Sequence, residues 1–250
     1  MNFTLSQPLT WIATGILTSG ISISLLPQPS FAQLEVGAPS SGDLLPPRNN
    51  RPTRNNQPNA EELGDFEVKG NELIRCVTEE GKDKKKCNPV MSGYEQIVNF
   101  ANQIYNQGNV AIAESVFRQL TTSHPKEATP YYKLGIILDR QGKVNEAIQQ
   151  YRRAIEINSR HALARNSLGV ALAKQGQLQE AITEWQQALE INAGYADALT
   201  NMGLALFQQG KQSEAVDALK KAKELYLKQN EFQKAKRIDD ILLEINSQST

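Results

Sequence analysis

The sequence is poor in the residues that build metal sites and large aromatic cores. Its 250 residues include two Cys, two His and only 6% aromatic residues. A four-ligand zinc site would need both Cys and both His, which lie far apart in the sequence. No H-E-x-x-H, no G-x-S-x-G and no phosphate-binding glycine loop is present. We therefore expect no metal, no cofactor and no catalytic activity.

The chain also lacks an excess of either charge. Its 27 Lys and Arg residues balance 27 Asp and Glu residues. No overall field attracts the chain to phosphate backbones, so we expect no nucleic-acid partner. The only apolar run long enough to approach a membrane span lies at the N-terminus, which excludes a multi-span membrane protein.

The N-terminal apolar run extends from Trp11 to Leu26 and is followed by two prolines. Small residues at Ser30 and Ala32 fit the cleavage site of an export signal, so we predict a signal peptide over residues 1–32. Export would place the protein in the periplasm, or in the thylakoid lumen if the source is photosynthetic. No Lys or Arg precedes the run, and an uncleaved N-terminal membrane anchor is the alternative.

Residues 33–60 are rich in Pro and Asn and show no apolar periodicity. Such a segment buries too little apolar surface to offset the entropy of ordering, so we predict a disordered linker. Its arginines at Arg48, Arg51 and Arg54 form a small cationic patch. Solubility and spacing are its simplest role, and attraction to an acidic partner or anionic lipid is the alternative.

Both cysteines lie in the short segment 61–93, with ten residues between Cys76 and Cys87. In an exported protein such a pair indicates one disulfide. Closing a loop of about 12 residues would contribute roughly 3 kcal/mol on the chain-entropy model. A redox pair is a minor alternative because C-x-x-C spacing is absent, and two reduced cysteines are the alternative without export. The stretch from Lys82 to Lys86 is predicted to be an exposed basic loop, and its binding to an acidic partner stays open.

Beyond residue 93 the sequence repeats every 34 residues without an insertion. Each unit indicates two amphipathic helices joined by a turn at a glycine, which suits the left-handed conformation that closes a helix. Small residues allow the two helix backbones to approach closely, and we interpret the large residues beside them as core. The columns in register are Gly108, Gly142, Gly176 and Gly210; Ala101, Gly135, Gly169 and Gly203; Ala113, Ala147, Ala181 and Ala215; and Phe117, Tyr151, Trp185 and Leu219.

This pattern closely resembles the tetratricopeptide repeat family, whose signature has a small residue at position 8, a turn glycine, Ala at 20 and an aromatic at 24. Taking Tyr94 as position 1 gives repeats over residues 94–127, 128–161, 162–195 and 196–227. Leu219 departs from the final aromatic, and only Pro125 matches the repeat-end proline. The resemblance implies an all-α fold, a right-handed α-solenoid of four helix pairs.

One more amphipathic helix is predicted within residues 228–250. A solenoid needs a terminal element with a polar outer face, so we expect this helix to cap the fourth repeat. At the other end, the cysteine-containing segment is a candidate cap for the first repeat. The apolar stripe of the C-terminal helix is Phe232, Ala235, Ile238, Leu242 and Ile245.

The resemblance also implies a function, because family members mostly bind peptides or helices in a concave groove lined by first helices. The chain is then a non-enzymatic scaffold or assembly factor for a protein partner. Tyr105, Tyr132 and Phe207 are the expected anchors, and Arg140 and Lys174 would orient acidic groups. The family's groove positions transfer to Asn102, Tyr105, Asn106, Tyr132, Ile136, Arg140, Asn166, Val170, Lys174, Thr200, Leu204, Phe207 and Gln208.

Two further expectations concern the kind of partner. One subgroup of the family clamps a C-terminal carboxylate with Lys and Asn at positions 5 and 9 of a first repeat, whereas Val98 and Asn102 stand there in this chain. Binding of such carboxylate tails is therefore disfavoured. The alternative function is structural, with self-association through exposed repeat ends or the C-terminal helix.

Overall fold

A computed structural model describes residues 65–78 and 85–247 of the chain. The predicted signal peptide, the predicted linker and the first part of the basic loop lie outside the described residues.

The cysteine-containing segment folds as a three-stranded antiparallel sheet, which the sequence analysis did not anticipate. The strands are β1 (Asp65–Lys69), β2 (Glu72–Thr78) and β3 (Lys85–Ser92), in the order β1-β2-β3. The two residues between β1 and β2 form a tight turn in which Gly70 has a φ of 58°. The all-α description therefore holds for the repeats and not for this segment.

The disulfide joins the central strand to its outer neighbour. Cys76 on β2 lies directly opposite Cys87 on β3, with their Cα atoms 4.1 Å apart and their sulfur atoms bonded. This separation matches a pair that does not exchange backbone hydrogen bonds, where side chains approach most closely. The two cysteines that the sequence predicts to pair therefore lie at disulfide distance.

Nine helices follow the sheet in the described part of the chain. The helices that begin the four repeats start at Tyr94, Ala128, Ala162 and Ala196, which are the predicted repeat boundaries. The helices are α1 (Tyr94–Asn106), α2 (Val110–Ser123), α3 (Ala128–Arg140), α4 (Val144–Ile157), α5 (Ala162–Lys174), α6 (Leu178–Ile191), α7 (Ala196–Gln208), α8 (Gln212–Lys228) and α9 (Phe232–Ser247).

The two helices of each repeat pack through the predicted columns. Phe117, Tyr151 and Trp185 are at most 1% exposed, so the large column is core. The turn glycines have φ between 77° and 89°, a region that residues with a Cβ rarely adopt. The repeat signature is therefore explained by close helix packing and by the tight turn.

The sheet covers the first helix pair. β1 packs against α2, and β2 and β3 contact α1. The rings of Phe66 on β1 and Phe100 on α1 have centroids 5.1 Å apart. Gln119 on α2 binds β1 twice, since its Oε1 accepts from the backbone N–H of Val68 at 2.7 Å and its Nε2 donates to the carbonyl of Phe66 at 2.8 Å. The segment therefore packs on the first repeat, where it is a candidate cap.

The C-terminal helix packs on α8 as predicted, but with a different buried stripe. Ala235, Ile238, Ile241 and Ile245 are buried, whereas Phe232 is 61% exposed. The prediction that Phe232 belongs to the buried stripe is wrong. Phe232 precedes Ile241 by nine residues, or two and a half turns of an α-helix, so the two side chains lie on opposite sides of the helix.

Two features are absent from the described part of the chain. None of their helices combines the length and apolar character needed for a membrane span. Within residues 65–78 and 85–247, no group of three or more His, Cys, Asp or Glu side chains could hold a metal ion.

Candidate functional site

The first helices of successive repeats form one continuous face. α3 contacts α5, and α5 contacts α7. Side chains also bond across repeats between residues 35 positions apart. Arg140 on α3 donates to the hydroxyl of Tyr105 on α1 at 2.8 Å, and the Asn201 amide on α7 donates to the Asn166 carbonyl on α5 at 3.2 Å. We call the surface formed by α1, α3, α5 and α7 the first-helix face.

Arg140 is an exposed cation on this face. Its guanidinium carbon lies 5.5 Å from the centroid of the Tyr105 ring, a cation–π arrangement that complements the hydrogen bond to the same side chain. Among the described residues, no carboxylate lies within 4.0 Å of its nitrogens. The neutral tyrosine therefore orients the arginine without neutralising its charge.

Lys174, one repeat further on, differs from Arg140 in its electrostatics. Its Nζ donates to both carboxylate oxygens of Asp139, at 2.8 and 2.7 Å. The lysine side chain is 42% exposed and the aspartate side chain 13% exposed. This ion pair compensates the lysine charge, so Lys174 differs from Arg140 as a residue expected to orient acidic groups.

Five side chains predicted for the groove are shielded from solvent in this structure. Tyr132 has its ring centroid 4.8 Å from that of His161 and 6.2 Å from that of Tyr151. Two of the three expected anchors, Tyr105 and Tyr132, are therefore buried in the fold. The exposed fractions are 3% for Tyr105, 2% for Tyr132, 2% for Ile136, 0% for Asn166 and 3% for Val170.

The remaining predicted residues are exposed or half-exposed. Leu204 and Phe207 on α7 supply apolar surface at the fourth repeat. Thr200 has a structural role, since its hydroxyl donates to the Ala196 carbonyl at 3.0 Å. The exposed members are Asn106, Arg140, Lys174 and Gln208, and the half-exposed members are Asn102, Thr200, Leu204 and Phe207.

A buried polar cluster at the fourth repeat was missed by the sequence analysis. The Tyr226 hydroxyl on α8 donates to the carboxylate of Asp197 on α7 at 2.7 Å. Lys234 on α9 lies 3.4 Å from the same carboxylate oxygen, and its Nζ is 5.3 Å from the centroid of the Tyr226 ring. The cluster connects α7, α8 and α9. No local sequence motif indicates it.

The two histidines have structural roles in the described part of the chain. His161 precedes α5, and its Nδ1 accepts from the backbone N–H of Ala164 at 3.2 Å. His124 follows α2, and its Nε2 lies 2.7 Å from the side-chain oxygen of Asn71 in the β1–β2 turn. Both histidines therefore belong to the turns and caps between helices.

Stacked helix pairs with one continuous first-helix face define a helical-repeat protein of the kind that offers an extended contact surface. The family model described as "Tetratricopeptide repeat" matches residues 100–162, 132–197 and 168–227. Together these matches extend over more than half of the chain, and the chain belongs to the tetratricopeptide repeat family. Members of this family act generally as scaffolds for protein interaction. A comparison with curated proteins gives no match.

Two solved structures of MamA share this fold. A crystal structure of MamA is 26% identical, with a TM-score of 0.52 over 55% of this chain and 80% of that one. A second MamA structure is also 26% identical, with a TM-score of 0.50 over 55% of this chain and 75% of that one. The TPR2B domain of yeast Sti1 in a complex with pHsp70 is 21% identical, with a TM-score of 0.47 over 48% of this chain and 97% of that one.

Proposed function

We propose that the protein is a non-enzymatic scaffold or assembly factor that binds a peptide or helix of a partner protein on its first-helix face. The membership in the tetratricopeptide repeat family supports the general role. The surface chemistry of the described residues supports the particular face and the kind of partner segment.

The observation that carries this proposal is the position of Arg140. A guanidinium has five N–H donors in a planar fork that matches a carboxylate. One donor is bound to Tyr105, which leaves the others for a ligand. Because this contact already restricts the side chain, less rotamer entropy is lost when a carboxylate binds. Arg140 therefore suits an acidic side chain of the partner.

The fourth repeat suits apolar side chains of the same segment. Leu204 and Phe207 lie one turn apart on α7 and are both half-exposed. Aromatic and aliphatic side chains in such positions contribute most of the affinity for an extended or helical ligand. We infer a partner segment with an acidic residue at the second repeat and apolar residues at the fourth.

We propose further that the protein acts after export, in the periplasm or in a thylakoid lumen, during assembly or maintenance of an envelope or photosynthetic membrane complex. The small residues Ser30 and Ala32 after the apolar run support a cleaved signal. N-terminal sequencing of the mature protein tests this, with Gln33 as the expected first residue. A chain that retains Trp11 in the membrane fraction supports the anchored alternative.

The test of partner binding compares two double variants that each remove one arginine and one large apolar side chain. The first is Arg140→Gln with Phe207→Ala on the first-helix face. The control is Arg152→Gln with Leu227→Ala, where Arg152 lies on the second helix of the same repeat as Arg140 and both residues are exposed. Each protein captures partners from exported and membrane fractions, which are identified by mass spectrometry.

We expect a partner that is retained by the wild type and the control and lost from the Arg140→Gln/Phe207→Ala protein. With the partner purified, the first variant should bind at least about tenfold more weakly, the loss expected when a charge-assisted hydrogen bond and an aromatic contact are removed. Equal binding by both variants would contradict the proposed face. Circular dichroism of both variants verifies that the helices remain folded.

A further inference from the structure

The outer face of α9 carries large apolar side chains at the end of the solenoid. Phe232 is 61% exposed and Leu243 is 69% exposed. The opposite side of the helix packs on α8 through Ala235, Ile238 and Ile241. A terminal element normally turns a polar face to solvent, so two large apolar residues on this face are unusual.

The exposed side chains lie in a single stripe. At 100° per residue, Phe232, Lys236, Asp240 and Leu243 fall within about a quarter of the helix circumference. Phe232 and Leu243 are about 16 Å apart along the axis. Within the described residues, neither Lys236 nor Asp240 forms an ion pair. We call these four residues the α9 stripe.

The α9 stripe is complementary to itself. Its order along the helix is apolar, positive, negative, apolar. An antiparallel copy related by a two-fold axis near Ile238 places Phe232 against Leu243 of the partner subunit and Lys236 against Asp240 of the partner subunit. Each contact then occurs twice, as in every isologous interface. A parallel copy would instead set like charges against each other.

We propose that the α9 stripe is a self-association surface through which two copies of this chain pair as antiparallel helices. The proposal is independent of ligand binding on the first-helix face. A pair of single helices buries less area than a permanent dimer needs, so the association is weak and depends on protein concentration. It would present two first-helix faces in one assembly and so raise avidity for a partner with two binding segments.

Charge reversal tests the antiparallel pairing directly. Lys236→Asp places two like-charged pairs in the homodimer, and Asp240→Lys does the same with the opposite sign. Sedimentation velocity over a range of concentrations measures self-association. The sample is the protein as purified from the cells that produce it. We expect each single variant to raise the dimer dissociation constant roughly tenfold or more, because two exposed attractive pairs become repulsive.

A mixture of the two variants is the decisive sample. In the mixed dimer, each reversed residue meets an opposite charge, so association should return to within about threefold of the wild-type value. Unchanged association of the single variants, a mixture that remains as weak as its components, or a wild type that is monomeric at every concentration would overturn the proposal. All substituted positions are exposed, and circular dichroism verifies folding.

Discussion

Gly169 illustrates how a single residue sets the distance between the two helices of a repeat. A Cβ at this position would lie 2.6 Å from Nε1 of Trp185. The indole Nε1 donates to the carbonyl of Asn166 at 3.2 Å, so the ring is held by a hydrogen bond and by burial. The first repeat combines Ala101 with the smaller Phe117 at the equivalent positions.

We predict that Gly169→Ala destabilises the protein by about 1–3 kcal/mol, the cost of overpacking a dense core. Urea unfolding followed by circular dichroism measures this loss. Gly194→Ala is the control, since its Cβ would make only an ordinary contact of 3.4 Å, and it should change stability by less than about 0.5 kcal/mol. The double variant Gly169→Ala/Trp185→Phe should lose less than the sum of its single changes.

Buried tyrosines couple stability to alkaline pH. Burial raises the pKa of Tyr226, and the neighbouring Asp197 carboxylate raises it further. Burial also raises the pKa of Tyr151 well above its ordinary value of 10.0 and that of Tyr94 to about 12. In each case the folded state favours the neutral phenol, because an ionised one would lose solvation.

We predict that these tyrosines make no pH-dependent contribution to the free energy of unfolding below about pH 10. Above that value, the free energy of unfolding falls as the pH rises. The unfolded chain then releases phenolic protons that the folded chain retains, which favours unfolding. Urea unfolding between about pH 9 and about pH 11.5 measures the slope. Tyr226→Phe should make the slope shallower. An identical slope in this variant would show that Tyr226 does not contribute to the linkage.

At the scale of elements, Gln119 protects the edge of the sheet. An exposed edge strand offers unpaired backbone groups to other chains, and the Gln119 amide binds both a donor and an acceptor of β1. The side chain thus replaces a neighbouring strand at one point. This contact also fixes the sheet to α2 and contributes to its role as the N-terminal cap.

We predict that Gln119→Ala destabilises the sheet by about 1–3 kcal/mol, since it leaves two backbone groups without their partner. Hydrogen exchange of the Val68 amide should become faster, while amides of α6 and α7 are unchanged. Gln149→Ala on the exposed surface of α4 is the control. The role assigned to Gln119 would be refuted if Val68 exchanged equally in both variants.

The repeats could be predicted from the sequence because the same contact between two helices occurs in all four repeats. A column such as Gly135, Gly169 and Gly203 recurs at a fixed spacing, and its cause is local contact with the following helix. The sheet has no such repetition. Its signal is the Gly70–Asn71 turn between two short runs of alternating residues, a hairpin pattern that is easily overlooked beside Lys-rich sequence.

The sequence predicted the helices on which the candidate site residues lie. It did not predict which of these residues are paired or buried. The family register placed Arg140, Lys174 and Phe207 on the first helices, where the structure has them. The pairing of Lys174 with Asp139 joins residues 35 positions apart, and the burial of Tyr132 depends on its neighbours in space. Both follow from tertiary packing, which a helical pattern does not encode.

On the scale of the whole described fold, the solenoid has two different ends and one continuous face. The sheet covers the first repeat, whereas α9 covers the fourth and leaves Phe232 and Leu243 in solvent. The first-helix face runs between these ends and carries a charged site at Arg140 and apolar surface at Phe207. We propose that partner binding occurs on the face and self-association at the C-terminal end.

Site-specific photo-crosslinking tests the central claim, that a partner protein binds the first-helix face. A photoreactive amino acid replaces Leu204 on that face in one protein and Lys220 on the exposed side of α8 in another. We predict that irradiation in the producing cells links one partner protein through position 204 and none through position 220. Crosslinks through position 220 alone, or none from position 204, would contradict the account.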